Sequence, residues 1–475
     1  MVALPRLKWL GLALLAAVQF MVVLDIAIVN VALPSIQTDL DVSQANLQWV
    51  ISAYALVFGG FLLLGGRTAD LLGRRRVFMV GLVMFTIGSL LCGLAWDEGS
   101  LIGARAIQGL GAATISPAAL AILMTTFAEG RERNIALGVW GAVGGFGAAA
   151  GVLLGGVLTD SLSWEWIFFV NIPVGLVALA LTPRLLDESR DTRVKTFDAL
   201  GAVLVTAGLS TLVLGITQGN EWGWGSGRTI GVFVASAALL AGFVAWEQRA
   251  AEPLMRFGLL RTRTVLGANV AGFILGTALF SMFLILTLYM QQVLGYSAMK
   301  TGVAYLAVAG TSIVWANVAA ALVNRVGVRP LIASGMAILA VGMVLFAQVP
   351  VDGSYATHLL PGFLLVALGM ALCFVPISIA ALAGVRQAEA GIASGLINTT
   401  QQIGGAVGIA LLSTIAITRT ENEVASGTAV PQAMTSGFQL AFWVGAAIAV
   451  AGVVAALALI REEEIGEVEA VPAPA

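Results

Sequence analysis

The chain predicts an all-α polytopic membrane protein of fourteen transmembrane helices, set out as two six-helix halves with two further helices inserted between them. Three observations carry that prediction. First, 59% of the 475 residues are hydrophobic and only 11% are charged, with a mean hydropathy of +0.96, whereas soluble domains carry about 25% charged residues. Apolar surface on that scale cannot be hidden in a water-soluble core, but helices of about 20 apolar residues satisfy their own backbones inside a bilayer. Second, Lys and Arg are sorted into alternate connections. Third, one polar turn recurs half a molecule away.

Residues 1–183 hold the first six predicted helices: Trp9 to Leu33, Leu47 to Gly66, Val77 to Ala95, Ser100 to Thr126, Ile135 to Leu158, and Ile167 to Pro183. The first follows Arg6 and Lys8 like a secretion signal, but it is too long for one and has no small-residue cleavage site, so it reads as an uncleaved span. A connector, residues 184–263, opens with a charged stretch and contains helices at Phe197 to Thr217 and Thr229 to Trp246. Residues 264–460 hold the last six: Thr264 to Val293, Thr301 to Val323, Pro330 to Val349, His358 to Val385, Gly391 to Ile417, and Gly437 to Ile460. An acidic cytoplasmic tail, residues 461–475, is expected to be disordered and dispensable.

Counted along these spans, nearly every Lys and Arg falls on one side, leaving Arg105, Arg228, Lys300 and Arg419 elsewhere. Basic residues concentrate in cytoplasmic loops, which predicts that both termini are cytoplasmic. An odd error in the span count would scramble the pattern, so the asymmetry also checks the count. The turn after the second helix carries Asp70, Gly73 and Arg75, and Asn324, Gly327 and Arg329 recur at the same spacing after the tenth. Repeated halves with a site between them are the usual construction of secondary transporters.

A net charge of −2 excludes a basic nucleic-acid footprint. Cys92 and Cys373 each lie inside an apolar run, where a thiol packs as a small hydrophobe. There is no phosphate-binding loop, zinc motif or serine-nucleophile motif, so neither enzyme chemistry nor an ATP site has residues to run on.

Asp25 is the one carboxylate well inside a predicted span. A charge there costs about 2.5 to 3.5 kcal/mol on insertion scales, so it must face a cavity, find a partner or take a proton. Arg105 is the matching base in the fourth helix; counted from the predicted outer ends, both lie about 12 to 14 Å deep, and Gln108 extends the same face. The structural alternative is an ion pair that only braces helices. Asp70 with Arg74, Arg75 and Arg76 suggests charge pairs at a cytoplasmic gate, although the arginines also serve orientation. Gly147, Gly151, Gly155 and Gly156 give the fifth helix a small-residue face suited to close packing. Asn398, Gln401 and Gln402, at i, i+3 and i+4, are candidates for cavity lining or for interhelical hydrogen bonds. Trp164, Trp166, Trp222 and Trp224 read as interfacial anchors.

Taken together, these motifs resemble the fourteen-helix drug:H+ antiporter family of the major facilitator superfamily. The resemblance rests on Gly66, Ala69, Asp70, Gly73, Arg74 and Arg75 in the turn, and on Leu101, Arg105, Gln108, Gly109, Gly111 and Ala112 in the fourth helix. It also rests on the first-helix run from Leu24 to Pro34, on Trp164 to Gly175 and on Ala393 to Gly408. Val152 stands where the antiporter motif usually has proline, Glu165 where arginine is common between the two tryptophans, and Gln401 where arginine is frequent.

The resemblance implies a major facilitator fold in a bacterial cytoplasmic (inner) membrane and export of a small lipophilic substrate in exchange for protons. Asp25 and Arg105 would serve coupling or substrate binding, Asp70 and its arginines the gate, and the fifth-helix glycines the antiporter motif. The proton gradient supplies energy without a cofactor, the partners are substrate, protons and the lipid bilayer, and a monomer is expected. With no second acidic residue inside a C-terminal span, neutral or singly charged substrates are expected. The competing readings are a facilitator or symporter for another solute or lipid, and a membrane receptor without transport.

Overall fold

A computed structural model describes residues 5–127, 131–190, 198–250, 253–254, 257–385 and 390–466. No strand occurs among them, and thirteen helices are long and apolar enough to cross a membrane. The first half comprises α1 (Pro5–Asp39), α2 (Trp49–Leu72), α3 (Arg74–Gly93), α4 (Glu98–Thr126), α5 (Arg131–Ser161) and α6 (Asn171–Leu185). Helix α5 adds a fourteenth segment to the thirteen, its described apolar part being Ala150–Ser161. The inserted pair is α7 (Ala199–Trp222) and α8 (Gly227–Glu247). The second half comprises α9 (Arg263–Leu288), α10 (Ala298–Val326), α11 (Val328–Phe346), α12 (Leu360–Ala380), α13 (Ala390–Ala425) and α14 (Val430–Leu459).

Several helices outrun the hydrophobic stretches that predict them. Helix α1 passes through Pro34 to Asp39 instead of stopping at Leu33. Pro34 has no amide to offer the Asn30 carbonyl, yet the helix continues for another turn, where Thr38 Oγ1 donates to the Pro34 carbonyl at 3.0 Å. Helix α4 begins on a reciprocal cap, in which Asp97 accepts from the Ser100 amide and Ser100 Oγ accepts from the Asp97 amide. Those bonds hold the exposed Asp97 carboxyl below the usual range.

Within the first half α4 lies between α2 and α3, and α1 between α5 and α6. Two seams join the halves, α2 against α13 and α5 against α10, and α7 packs on both α2 and α13. Thr217 Oγ1 accepts from Gln48 Nε2 at 3.1 Å, and Gln218 Nε2 donates to Asn46 Oδ1 at 3.0 Å, tying the insert to the start of α2.

The polar turn and its repeat form one motif twice. Gly73 and Gly327 both take positive φ, 111° and 88°, which glycine tolerates without penalty. Each is followed by a helix whose first amides meet a carboxylate arriving from the end of the same half. Glu188 accepts from the Arg75 and Arg76 amides at 3.1 and 3.2 Å, and Glu462 from the Arg329 amide at 2.7 Å. The arginine side chains return to carbonyls at the end of that same half, Arg75 to Leu186 and Arg329 to Leu457.

The start of the tail is therefore ordered, contrary to the expectation of disorder after Arg461. Glu464 accepts from the Thr264 amide at 2.8 Å and the Arg461 amide donates to Thr264 Oγ1 at 2.9 Å, so residues 461–466 cap α9 as well as α11. Trp164 likewise departs from its expected role: it is 4% exposed and its indole donates to Asp39 Oδ2 at 2.8 Å, making it an internal strut. Trp166 and Trp224 are exposed, and the Trp222 ring carries the Arg228 guanidinium 3.7 Å above it.

Candidate functional site

A carboxylate in a low-dielectric interior needs donors, and the first half supplies three. Arg105 Nη1 on α4 donates to Asp25 Oδ2 on α1 at 2.7 Å, while Gln108 Nε2 and Asn171 Nδ2 donate to Oδ1 at 2.6 and 2.9 Å. Each donor is itself fixed. Arg105 Nε reaches the Val50 carbonyl of α2 at 2.9 Å, its Nη1 also meets Gln108 Oε1 at 2.5 Å, and Gln108 Nε2 donates to Ser89 Oγ of α3 at 2.8 Å. Tyr54 lies under the guanidinium with its ring centroid 4.3 Å from Arg105 Cζ, and Phe168 lies 5.7 Å away on another side.

The remaining helix of this half completes the enclosure. A Cβ at Gly151 of α5 would stand 2.7 Å from the Leu24 carbonyl and 2.8 Å from Ala27 Cβ, and one at Gly155 2.7 Å from the Ile28 carbonyl. Gly147 faces Val23 in the same row. Only glycine lets α5 lie this close to the backbone on either side of Asp25. The result is a sealed centre: Asp25 and Gln108 are 0% exposed, Arg105 1%.

Such a centre can hold a charge pair when Asp25 is ionised. Protonating Asp25 removes the counter-charge of an arginine that cannot give up its own proton. In this form the group has no contact with solvent through which a proton could be exchanged directly. Cys92, also buried, approaches Gln108 Oε1 at 3.7 Å and acts as part of the wall.

The structure thus brings together Asp25, Arg105 and Gln108, and adds Asn171, Ser89 and Tyr54, which the sequence reading does not single out. Their one signal in the sequence is a lone polar residue within an apolar run. Asn398, Gln401 and Gln402 lie elsewhere, on α13. Asn398 is exposed and donates to its own helix at Ser394, the Gln401 backbone abuts Gly276 of α9, and the Gln402 stem abuts Gly59 of α2. Gln402 Nε2 is buried with no hydrogen-bond partner among the described residues.

At the turn, Asp70 accepts from Arg74 at 2.7 Å, and Arg75 and Arg76 approach Glu188 at 3.9 and 3.7 Å. Arg329 holds the corresponding place in the second half. The side chain of Asn324 lies outside the described residues. Gly156 departs from its three fellow glycines and faces α10, where a Cβ would stand 2.6 Å from Met299 Cα.

Compared with known proteins, residues 15–409 match the family model described as Major Facilitator Superfamily. The chain is 42% identical to the puromycin resistance protein pur8 of Streptomyces alboniger, over 94% of its own length and 89% of that protein. It is also 42% identical to the cephamycin export protein CmcT of Amycolatopsis lactamdurans, over 85% of its length and 84% of that protein. Among solved structures, the nucleoside transporter NupG superposes with a TM-score of 0.69 at 12% identity, covering 96% of this chain and 100% of the other. That last likeness concerns the fold alone.

Proposed function

The chain belongs to the Major Facilitator Superfamily and is a multi-pass membrane transporter of the efflux kind, and from that premise we propose that it exports small lipophilic compounds in exchange for protons by alternating access. The observation that carries the reading is the sealed centre around Asp25. A carboxylate held by three donors and shut off from solvent can exchange its proton only when the helices around it rearrange. Proton release is thereby tied to a change of conformation, which is the logical requirement for coupling.

In the proposed cycle, protonation of Asp25 frees Arg105 from its counter-ion and loosens α1 from α4. Deprotonation restores the pair and returns the molecule to the closed form of the centre. Gln108 and Asn171 keep Asp25 hydrogen-bonded in either state, since an amide can donate to a carboxylate or accept from a carboxylic acid. The arginine-rich end, with both termini, lies in the cytoplasm on this reading, and Asp70, Arg74 and the Glu188 cap govern closure there. Substrate is expected to be neutral or singly charged, because the carboxylates of the second-half helices, Glu421 and Glu423, stand on the last turns of α13 and none lies deep within a span as Asp25 does.

The test is substrate-induced proton movement in proteoliposomes under an imposed pH gradient, with puromycin as the first compound, since a relative is named for resistance to it. Native protein should consume the gradient and Asp25→Asn should lose gradient-driven transport by about a hundredfold or more, the low end of what a positioned proton-transfer group contributes. Equal transport by native protein and Asp25→Asn, with or without a gradient, would replace the exchanger by a facilitator.

A further inference from the structure

Resting on that exchange cycle, we propose that Asp160 is the outer latch of the transporter, holding the two halves together at the end away from the arginine-rich turns, with α5 linking the latch to Asp25. Asp160 sits on the last turn of α5, in the first half. Its Oδ1 and Oδ2 accept from the backbone amides of Ala298 and Met299 at 3.2 and 2.8 Å, which are the first amides of α10, in the second half. The start of a helix carries unsatisfied donors and a partial positive charge, so the carboxylate and the opposing half attract each other directly.

Two glycine contacts place it there. Gly156, one turn before Asp160, would put a Cβ 2.7 Å from the Ala298 carbonyl, and Gly302 of α10 would put one 2.6 Å from the Val152 carbonyl. The two backbones therefore touch over the outermost turns, and parting the halves at this end must break the cap. On the other flank of the same end, Gln292 donates to Gln37 at 2.8 Å and Gln291 to the Val31 carbonyl at 2.7 Å. Those links are neutral; among the described hydrogen bonds between the halves, Asp160 supplies the charge.

A second face of α5, about 100° around the helix from Gly156, carries Gly151 and Gly155, seated on the α1 backbone at Leu24, Ala27 and Ile28. One rigid helix thus touches the residues flanking Asp25 with one face and the second half with the other. A shift of α1 that follows protonation of Asp25 is passed to the latch by close backbone contact, with no intervening flexible side chain.

The experiment is distance measurement between spin labels in bilayers without substrate, on an outer pair at Thr38 and Ala356 and an inner pair at Thr125 and Leu382, all exposed. Cys92 and Cys373 are buried and leave the background silent. Asp160→Ala should raise the outer-open population about fivefold, as expected for loss of a charged helix cap, with the inner pair drawing closer. Asp160→Asn should give a smaller shift in the same direction, and Asp160→Glu should keep the native distribution. Asp160→Ala should also lower kcat for export with little change in KM. Unchanged outer distances in both Asp160→Ala and Asp160→Asn overturn the latch, as does equal widening by Asp160→Glu. Should Asp25→Asn still exchange protons, the coupling reading fails while the distance result stands independently.

Discussion

In the first half the buried polar groups of α1, α3, α4 and α6 converge on an ion pair, whereas in the second half they settle among themselves and with backbone. Tyr305 Oη shares a 3.0 Å hydrogen bond with Thr287 and donates to the Phe283 carbonyl at 2.8 Å, between the rings of Phe283 and Phe363. Thr277 Oγ1 bonds the Phe273 and Gly404 carbonyls, and Thr400 donates to Asn269 at 3.2 Å. The two halves thus repeat helices and turns while differing inside: one encloses an ion pair, and the other packs neutral polar groups on one another and on backbone.

The largest expected effect breaks the charged interior. Arg105→Ala leaves the wholly buried Asp25 without its counter-ion, and unfolding in lipid or mild detergent should show a loss of about 3 to 5 kcal/mol. Next comes the wedge. Gly151→Val forces a branched side chain into the Leu24 carbonyl and Ala27, and should cost about 1 to 3 kcal/mol and abolish export in a transport assay. In the second half Tyr305→Phe removes hydroxyl bonds but no charge, so thermal unfolding should show about 1 kcal/mol, with gradient-driven export retained. A loss of coupling there would make both interiors active and end the division drawn above. Smallest of all is Gly445→Ala: nearest neighbours lie 3.6 and 3.7 Å from the added Cβ. Its thermal midpoint should stay level or rise slightly.

Much of this was legible in the chain because the bilayer imposes strict rules. Span length, sided arginines and the recurring turn suffice for the architecture. The pairing of Asp25 with Arg105 follows from equal depth below the ends of the apolar stretches, even though α1 itself continues beyond Leu33 to Asp39. Gln108 followed from helical spacing. Ser89, Asn171 and Tyr54 did not, since a lone serine, asparagine or tyrosine in an apolar run looks the same whether it serves a charge or its own helix. Spacing also aligns Asn398, Gln401 and Gln402 but says nothing about the helices they meet, and the structure sets them against α2 and α9. The carboxylate caps at Glu188 and Glu462 were hidden for a related reason: they join residues more than a hundred positions apart, and only the fold reveals the match.

The second of those caps bears on how the protein can be handled. Glu462 and Glu464 sit within a few residues of Arg461, where a sequence reader would see a loose end and attach a purification tag or fluorescent reporter. A fusion joined directly after Arg461 would unseat α9 and α11 together, and weak expression from it would be mistaken for intrinsic fragility. Joined beyond Gly466, the same fusion leaves both carboxylates on their helices.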